Sequence, residues 1–152
     1  CARATPEILR QVLNDYDRDT VDFYRWEVNY TADELSAIVK ERSGIDFGEI
    51  LELRPLARGT SGRIYRLEIV GSKCTHIVGK ELEIRKWLSR THLYSSAFVP
   101  VKTDTGFTLF GAGWGHGVGL CQIGAAVMGA SGYDYREILL HYFKDAEIKK
   151  LY

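Results

Sequence analysis

Hydrophobic and polar positions recur with two different periods along this chain, and the switches between them mark out its elements. Thr5-Pro6-Glu7 opens a first helix, with threonine as N-cap, proline at the first helical position and an acid in the first turn. Ile8, Leu9, Val12 and Leu13 form its apolar stripe, and the pattern stops between Asn14 and Asp17. Over Phe23–Tyr30 the period shortens to two, which predicts a half-buried strand with Tyr24, Trp26, Val28 and Tyr30 on one face. Thr31-Ala32-Asp33-Glu34 is a capping box; Leu35, Ile38 and Val39 follow at helical spacing, and Gly44 is the stop.

Two β-rich runs, Glu49–Leu56 and Arg63–Val70, flank Gly59-Thr60-Ser61-Gly62 and predict a hairpin. Cys74–Val78 reads as a short strand, and Lys80–Ser89 as a helix with Leu82, Ile84, Trp87 and Leu88 inward. Phe98–Val101 and Phe107–Phe110 are strands around the turn signal Thr103-Asp104-Thr105-Gly106. A helix is expected from about Val118 to about Ala130, poor in bulk because of Gly119, Gly124, Ala125, Ala126, Gly129 and Ala130. Glycine costs about 1 kcal/mol against alanine inside a helix, so close packing against a neighbour is the expected return. Ser131-Gly132 ends it, and Asp134-Tyr135-Arg136-Glu137 caps a further helix carrying Ile138, Leu139, Tyr142 and Phe143. Strands and helices are mixed without a βαβ rhythm. The expected class is α+β, a mixed, mainly antiparallel sheet with several short helices.

Composition narrows the possibilities. The chain has 152 residues, enough for one domain with a real core, and its 20 Lys and Arg balance 20 Asp and Glu. A neutral, interspersed charge pattern lacks the cationic field that general nucleic-acid binding needs. No apolar run approaches a membrane span, and no signal-peptide pattern is present. Cys1, Cys74 and Cys121 have no metal-type spacing, and a disulfide framework is not expected. Because the chain begins at Cys1 and runs almost directly into a helix, it reads either as a single domain over 1–152 or as the C-terminal part of one, cut from a longer polypeptide.

Candidate chemistry gathers at Gly111-Ala112-Gly113-Trp114-Gly115-His116-Gly117-Val118-Gly119, where glycine occupies every odd position. Such positions accept φ > 0, let backbone N–H groups converge, and allow a ligand to lie against the main chain. His116, between Gly115 and Gly117, can donate, accept or carry a proton near neutrality, or it can fix the loop through backbone carbonyls. Gln122, on the first turn of the next helix, can contact hydroxyls or cap its own backbone. Trp114 can stack on a sugar ring or pack as a partly buried core residue. A phosphate cradle is disfavoured, since the run lacks the Gly-Lys-Ser/Thr ending of a nucleotide loop. His76, His92 and His141 are scattered singly and read as surface or packed histidines. Glu49, Glu52, Glu68, Glu81 and Glu83 lie on patterned faces expected to be exposed, and none stands out as the buried proton donor that glycoside cleavage needs.

The run Gly115-His116-Gly117-Val118-Gly119-Leu120-Cys121-Gln122-Ile123-Gly124-Ala125 closely resembles the signature of the SpoIID/LytB family of bacterial cell-wall proteins. The resemblance extends through Met128, Gly132, Tyr135 and Glu137-Ile138-Leu139 to His141-Tyr142-Phe143. Weaker blocks lie at Arg63–Ile69, at Arg85-Lys86-Trp87-Leu88 and at Ser95-Ser96-Ala97-Phe98. Cys121 departs from the family, where serine is usual. The resemblance implies a SpoIID-like fold and a parent protein that acts on peptidoglycan as a lytic transglycosylase. The alternative role in the same family is a non-catalytic wall-binding or amidase-enhancing module. It further implies a glycan cleft, one wall of which this segment supplies: His116, Gln122, Gly115, Gly117 and Trp114, with Arg85 and Ser96 (beside Ser95) lining it. The family's acid/base glutamate, and the zinc that some members hold through histidine and cysteine, belong to an upstream portion and transfer to no position here. No metal or cofactor is therefore assigned to this chain. The implied partners are peptidoglycan glycan strands and a cell-wall amidase, and the implied location is outside the cytoplasm.

Overall fold

A computed structural model describes residues 4–13 and 24–150. The stop expected between Asn14 and Asp17, and Phe23, lie outside the described residues, as do the side chains of Leu9, Val12 and Leu13. The chain divides into two compact units, residues 22–116 and residues 1–21 with 117–152.

Residues 24–116 hold β1 (Arg25–Thr31), α2 (Ala32–Ser43), β2 (Ile50–Arg58), β3 (Ile64–Gly71), β4 (Thr75–Gly79), α3 (Glu81–Trp87), β5 (Phe98–Lys102) and β6 (Gly106–Ala112); α1 (Pro6–Leu13) belongs to the other unit. The class is α+β, as the pattern predicts. The strands nevertheless divide between two antiparallel three-stranded sheets, ordered β1-β6-β5 and β2-β3-β4, instead of joining one sheet. In the first sheet Trp26, Gly111 and Phe98 share one cross-strand row, and Val28, Leu109 and Pro100 share the next. The Trp26 ring covers Gly111, where a Cβ would collide with it. This strand row can close only over a glycine.

Local signals account for both ends of α2. Thr31 caps α2, its side chain accepting from the Glu34 N–H at 3.1 Å. Gly44 ends that helix at φ 74°, the left-handed conformation that glycine takes without penalty. Leu35, Ile38 and Val39 are buried by α2, and they join Phe47, Ile50, Leu67, Ile69, Ile84, Leu88 and Leu109 in a continuous apolar core. In α3 the expected inward position of Leu82 is exposed, and Arg85 is buried in its place. The Arg85 guanidinium is satisfied there by the Leu93 carbonyl at 2.6 Å and by Glu81 at 3.2 Å. Tyr24 precedes β1 and is exposed, so the inward face of that strand begins at Trp26.

The other unit contains α1, α4 (Gln122–Ala130) and α5 (Tyr135–Tyr142) among its described residues. The helix expected from Val118 begins only at Gln122. Gly117 and Gly119 have φ of 67° and 91°, which no right-handed helix admits. Cys121 is the N-cap, its Sγ accepting from the Gly124 N–H. Close packing of the small-residue helix is found at Gly124, where a Cβ would meet the Tyr142 hydroxyl of α5. Burial raises the Tyr142 phenol above its usual pKa. The second capping box is complete: Asp134 accepts from Glu137 N–H, and Glu137 accepts from Asp134 N–H.

Candidate functional site

The glycine run is shared between the two units, and each part has its own geometry. In residues 111–116 the chain leaves β6 through alternating left-handed positions, Gly113 at φ 69° and Gly115 at φ 77°. The carbonyls of this bend are held by side chains from distant parts of the sequence. Ser95 Oγ donates to the Ala112 carbonyl at 2.8 Å, and Trp26 Nε1 donates to that of Gly113 at 3.2 Å. Arg63 donates from Nη2 to Trp114 at 3.1 Å and from Nε to Gly115 at 2.7 Å. The amides point inward as well. Ala112 N–H donates to Ala97, Gly113 N–H to Tyr24 and Gly115 N–H to Tyr94.

These bonds change the chemical reading of the loop. An anion nest needs N–H groups turned toward a ligand, whereas the amides of 112, 113 and 115 are engaged with the protein's own carbonyls. What the bend offers outward is side chains. Trp114 is 51% exposed, and His116 is exposed beside it. An open groove of about 500 Å³ in the same unit is lined by Arg25, Trp26, Glu27, Tyr94, Phe110 and Gly111. Its floor is the buried Trp26, with Tyr94 edge-on to that ring at 5.9 Å. Its walls carry exposed aromatic faces, Phe110 at 48% and Tyr94 at 40%. Exposed aromatic faces beside polar groups suit ligands with an apolar face and a polar edge.

Arg85 and Ser96 are placed inside the molecule. Arg85 holds the Leu93 carbonyl, next to the Tyr94 carbonyl that receives Gly115, so it supports the bend from behind. Ser96 is fully buried, and its carbonyl receives Ile64 N–H. Its hydroxyl is a buried polar atom without a hydrogen-bond partner. Neither side chain presents a surface to solvent. Arg63, Trp26 and Ser95 are the residues that fix the bend. Their sequence signal was faint, since each acts on backbone far away along the chain.

In residues 117–122 of the other unit, Gly117 and Gly119 continue the left-handed positions up to the Cys121 cap. Gln122 is exposed on the first turn of α4. Its amide is open to solvent.

Among the described residues, the carboxylates displaced from their ordinary range are displaced downward. The Lys73 ammonium, the Gly48 N–H and the Lys40 ammonium hold Asp46 well below the usual range, and Arg54 lowers Glu52. Glu7 is lowered chiefly by a backbone hydrogen bond. Glu68, Glu81 and Glu83, expected on exposed faces, are half-buried and paired with Arg54, Arg85 and Lys86. His76 is exposed and stacks on Trp87, and His141 lies edge-on to Tyr142. No group of three or more histidine, cysteine, aspartate or glutamate side chains suited to a metal ion occurs among the described residues, and no described helix is long and apolar enough to cross a membrane.

Comparison with known proteins places this geometry in context. The chain is 38% identical over 73 residues to a Bacillus subtilis protein named amidase enhancer, an alignment covering 47% of this chain and 10% of that protein. It is 41% identical over 66 residues to an uncharacterized protein of Brachyspira hyodysenteriae, covering 43% of this chain and 18% of the other. The chain thus matches a small part of either relative's length. A broader match runs through both sheets and the bend as far as Gly119: the profile of DUF8618, a domain of unknown function, spans residues 1–119, and the chain belongs to that family.

Proposed function

We propose that this chain is a cell-wall-binding module of the amidase-enhancer kind, which lays a glycan strand of peptidoglycan against Trp114 and His116 and acts beside a wall amidase outside the cytoplasm. The observation that carries this reading is the presentation of Trp114. An indole 51% exposed on a bend whose backbone is tied down at four consecutive carbonyls is a pre-positioned stacking surface. Holding such a group still before binding removes part of the entropy cost of capture. The similarity to the Bacillus amidase enhancer supports the wall setting. The inward amides favour an uncharged ligand face over a phosphate. Arg25 and Glu27, on the groove beside Phe110, supply hydrogen-bonding edges of both signs.

The test uses the full-length protein and purified glycan strands stripped of their stem peptides. Trp114→Ala and His116→Ala should each weaken binding about tenfold or more, a loss of about 1.4 kcal/mol. The melting midpoint should stay within about 2 °C, because exposed side chains contribute little to stability. Retained binding together with a large fall in midpoint would assign both residues to scaffolding and overturn the reading. In a parallel reaction the protein is added to a cell-wall amidase acting on intact sacculi, and faster peptide release is the expected result. The family resemblance also leaves open a parent that cleaves glycan itself as a lytic transglycosylase. Release of 1,6-anhydro ends by the protein alone would establish that reaction in place of a purely assisting role.

A further inference from the structure

We infer that Arg63 is the positioning residue of the bend: one guanidinium, by bonding two successive carbonyls, sets the direction in which Trp114 and His116 leave the main chain. This rests on the glycan-binding reading for its consequence, but not for its geometry. Arg63 stands at the start of the chain's return from the 59–62 turn, just ahead of β3, and reaches Trp114 and Gly115 across 51 and 52 residues of sequence. Its Nε and Nη2 lie 2.7 and 3.1 Å from the two oxygens. Fixed fork geometry lets an arginine hold neighbouring acceptors in one plane; a lysine provides a point charge on a flexible stem. Gly113 and Gly115 flank Trp114 with left-handed φ, so this peptide segment has more accessible conformations than any non-glycine loop of equal length.

Other anchors hold neighbouring parts of the segment. Trp26 and Ser95 secure the carbonyls of 113 and 112 on its entry side. Gly115 N–H to Tyr94 at 2.8 Å fixes its far amide. Arg63 bonds the peptide units that follow both Trp114 and Gly115, the first of them shared with the Tyr94 carbonyl that receives Gly115 N–H. The planes of those units determine where the Trp114 indole and the His116 imidazole project. Arg58 offers a fair comparison from the same hairpin, since it also bonds two carbonyls, Gly62 at 2.8 Å and Phe98 at 2.7 Å, and neither belongs to the bend.

The experiment labels the full-length protein with 5-fluorotryptophan, and the resonance of residue 114 is the one lost in Trp114→Phe. In Arg63→Gln that resonance should move toward the position of the free amino acid, and affinity for stripped glycan strands should fall about tenfold. Arg63→Lys should recover part of both. Arg58→Gln should lower the melting midpoint by a similar amount and leave the residue 114 resonance in place. An unmoved resonance in Arg63→Gln, or an equal shift in Arg58→Gln, would overturn the assignment. If the unmodified protein binds no glycan, the function proposed above fails, while the fluorine spectra still decide the role of Arg63.

Discussion

Tyr30 shows how a single side chain ties an element to the core. It closes the inward face of β1, and its hydroxyl donates to the Leu88 carbonyl at 2.7 Å just past the end of α3. Burial pushes its phenol pKa up to about 12 from an ordinary 10.0. The folded state therefore retains this proton more tightly than the unfolded chain. The associated stability is complete below about pH 10 and is lost as the pH rises through about 12. Tyr30→Phe should cost about 1–2 kcal/mol at neutral pH, because a buried carbonyl loses its donor. Urea titrations from pH 8 upward should then show the two proteins converging; a constant gap would mean that Tyr30 does not lose its stabilising contribution on ionisation. The alternation Trp26, Val28, Tyr30 made the inward face legible from sequence. The partner of the hydroxyl was not, because it is a backbone atom 58 residues distant. The same holds for Arg63 and Trp26 at the bend: side chains that bond remote main chain leave no periodic trace.

Element boundaries were legible wherever a short-range cap set them, as at Thr31, Gly44 and the Asp134–Glu137 box. The start of α4 was not, because apolar spacing from Val118 onward imitates a helix while Gly117 and Gly119 hold the backbone left-handed. The element begins where a capping side chain first becomes available, and that side chain is a thiol. Sulfur is a weak acceptor, and Cys121 Sγ receives the Gly124 amide at 3.3 Å. A hydroxyl is among the preferred N-caps. Cys121→Ser should consequently stabilise the protein, by about 0.5 kcal/mol, read as a higher urea midpoint with an unchanged slope. A lower midpoint would show that Sγ contributes more through packing than through its cap. The division of the strands into two sheets escaped the sequence for a different reason. Alternation fixes which face of a strand is buried and says nothing about which neighbour it pairs with.

At the scale of the whole molecule, burial among the described residues is distributed unevenly between the two units. Among the described residues the buried apolar core runs from Trp26 to Leu109, within residues 22–116. Neither α4 nor α5 contains a buried residue, although α4 is composed almost wholly of apolar and small side chains. A helix gains most of its stability from tertiary packing of its apolar face, and local opening is easiest where few apolar groups are withdrawn from water. Opening should accordingly be graded along the chain. In native-state hydrogen exchange the amides of β1, β6 and α2 should be the slowest, since they require disruption of the core itself. Those of α4 and α5 should exchange at least about 100-fold faster, corresponding to about 3 kcal/mol less protection. At Gly124 the Tyr142 hydroxyl lies so close that a Cβ would meet it, so residues 122–126 should be the most protected part of α4 and its C-terminal turn the least. Equal protection of α4 and β6 would show that the two units open as one cooperative body, and that the weak burial of α4 is offset by interactions as strong as the core's.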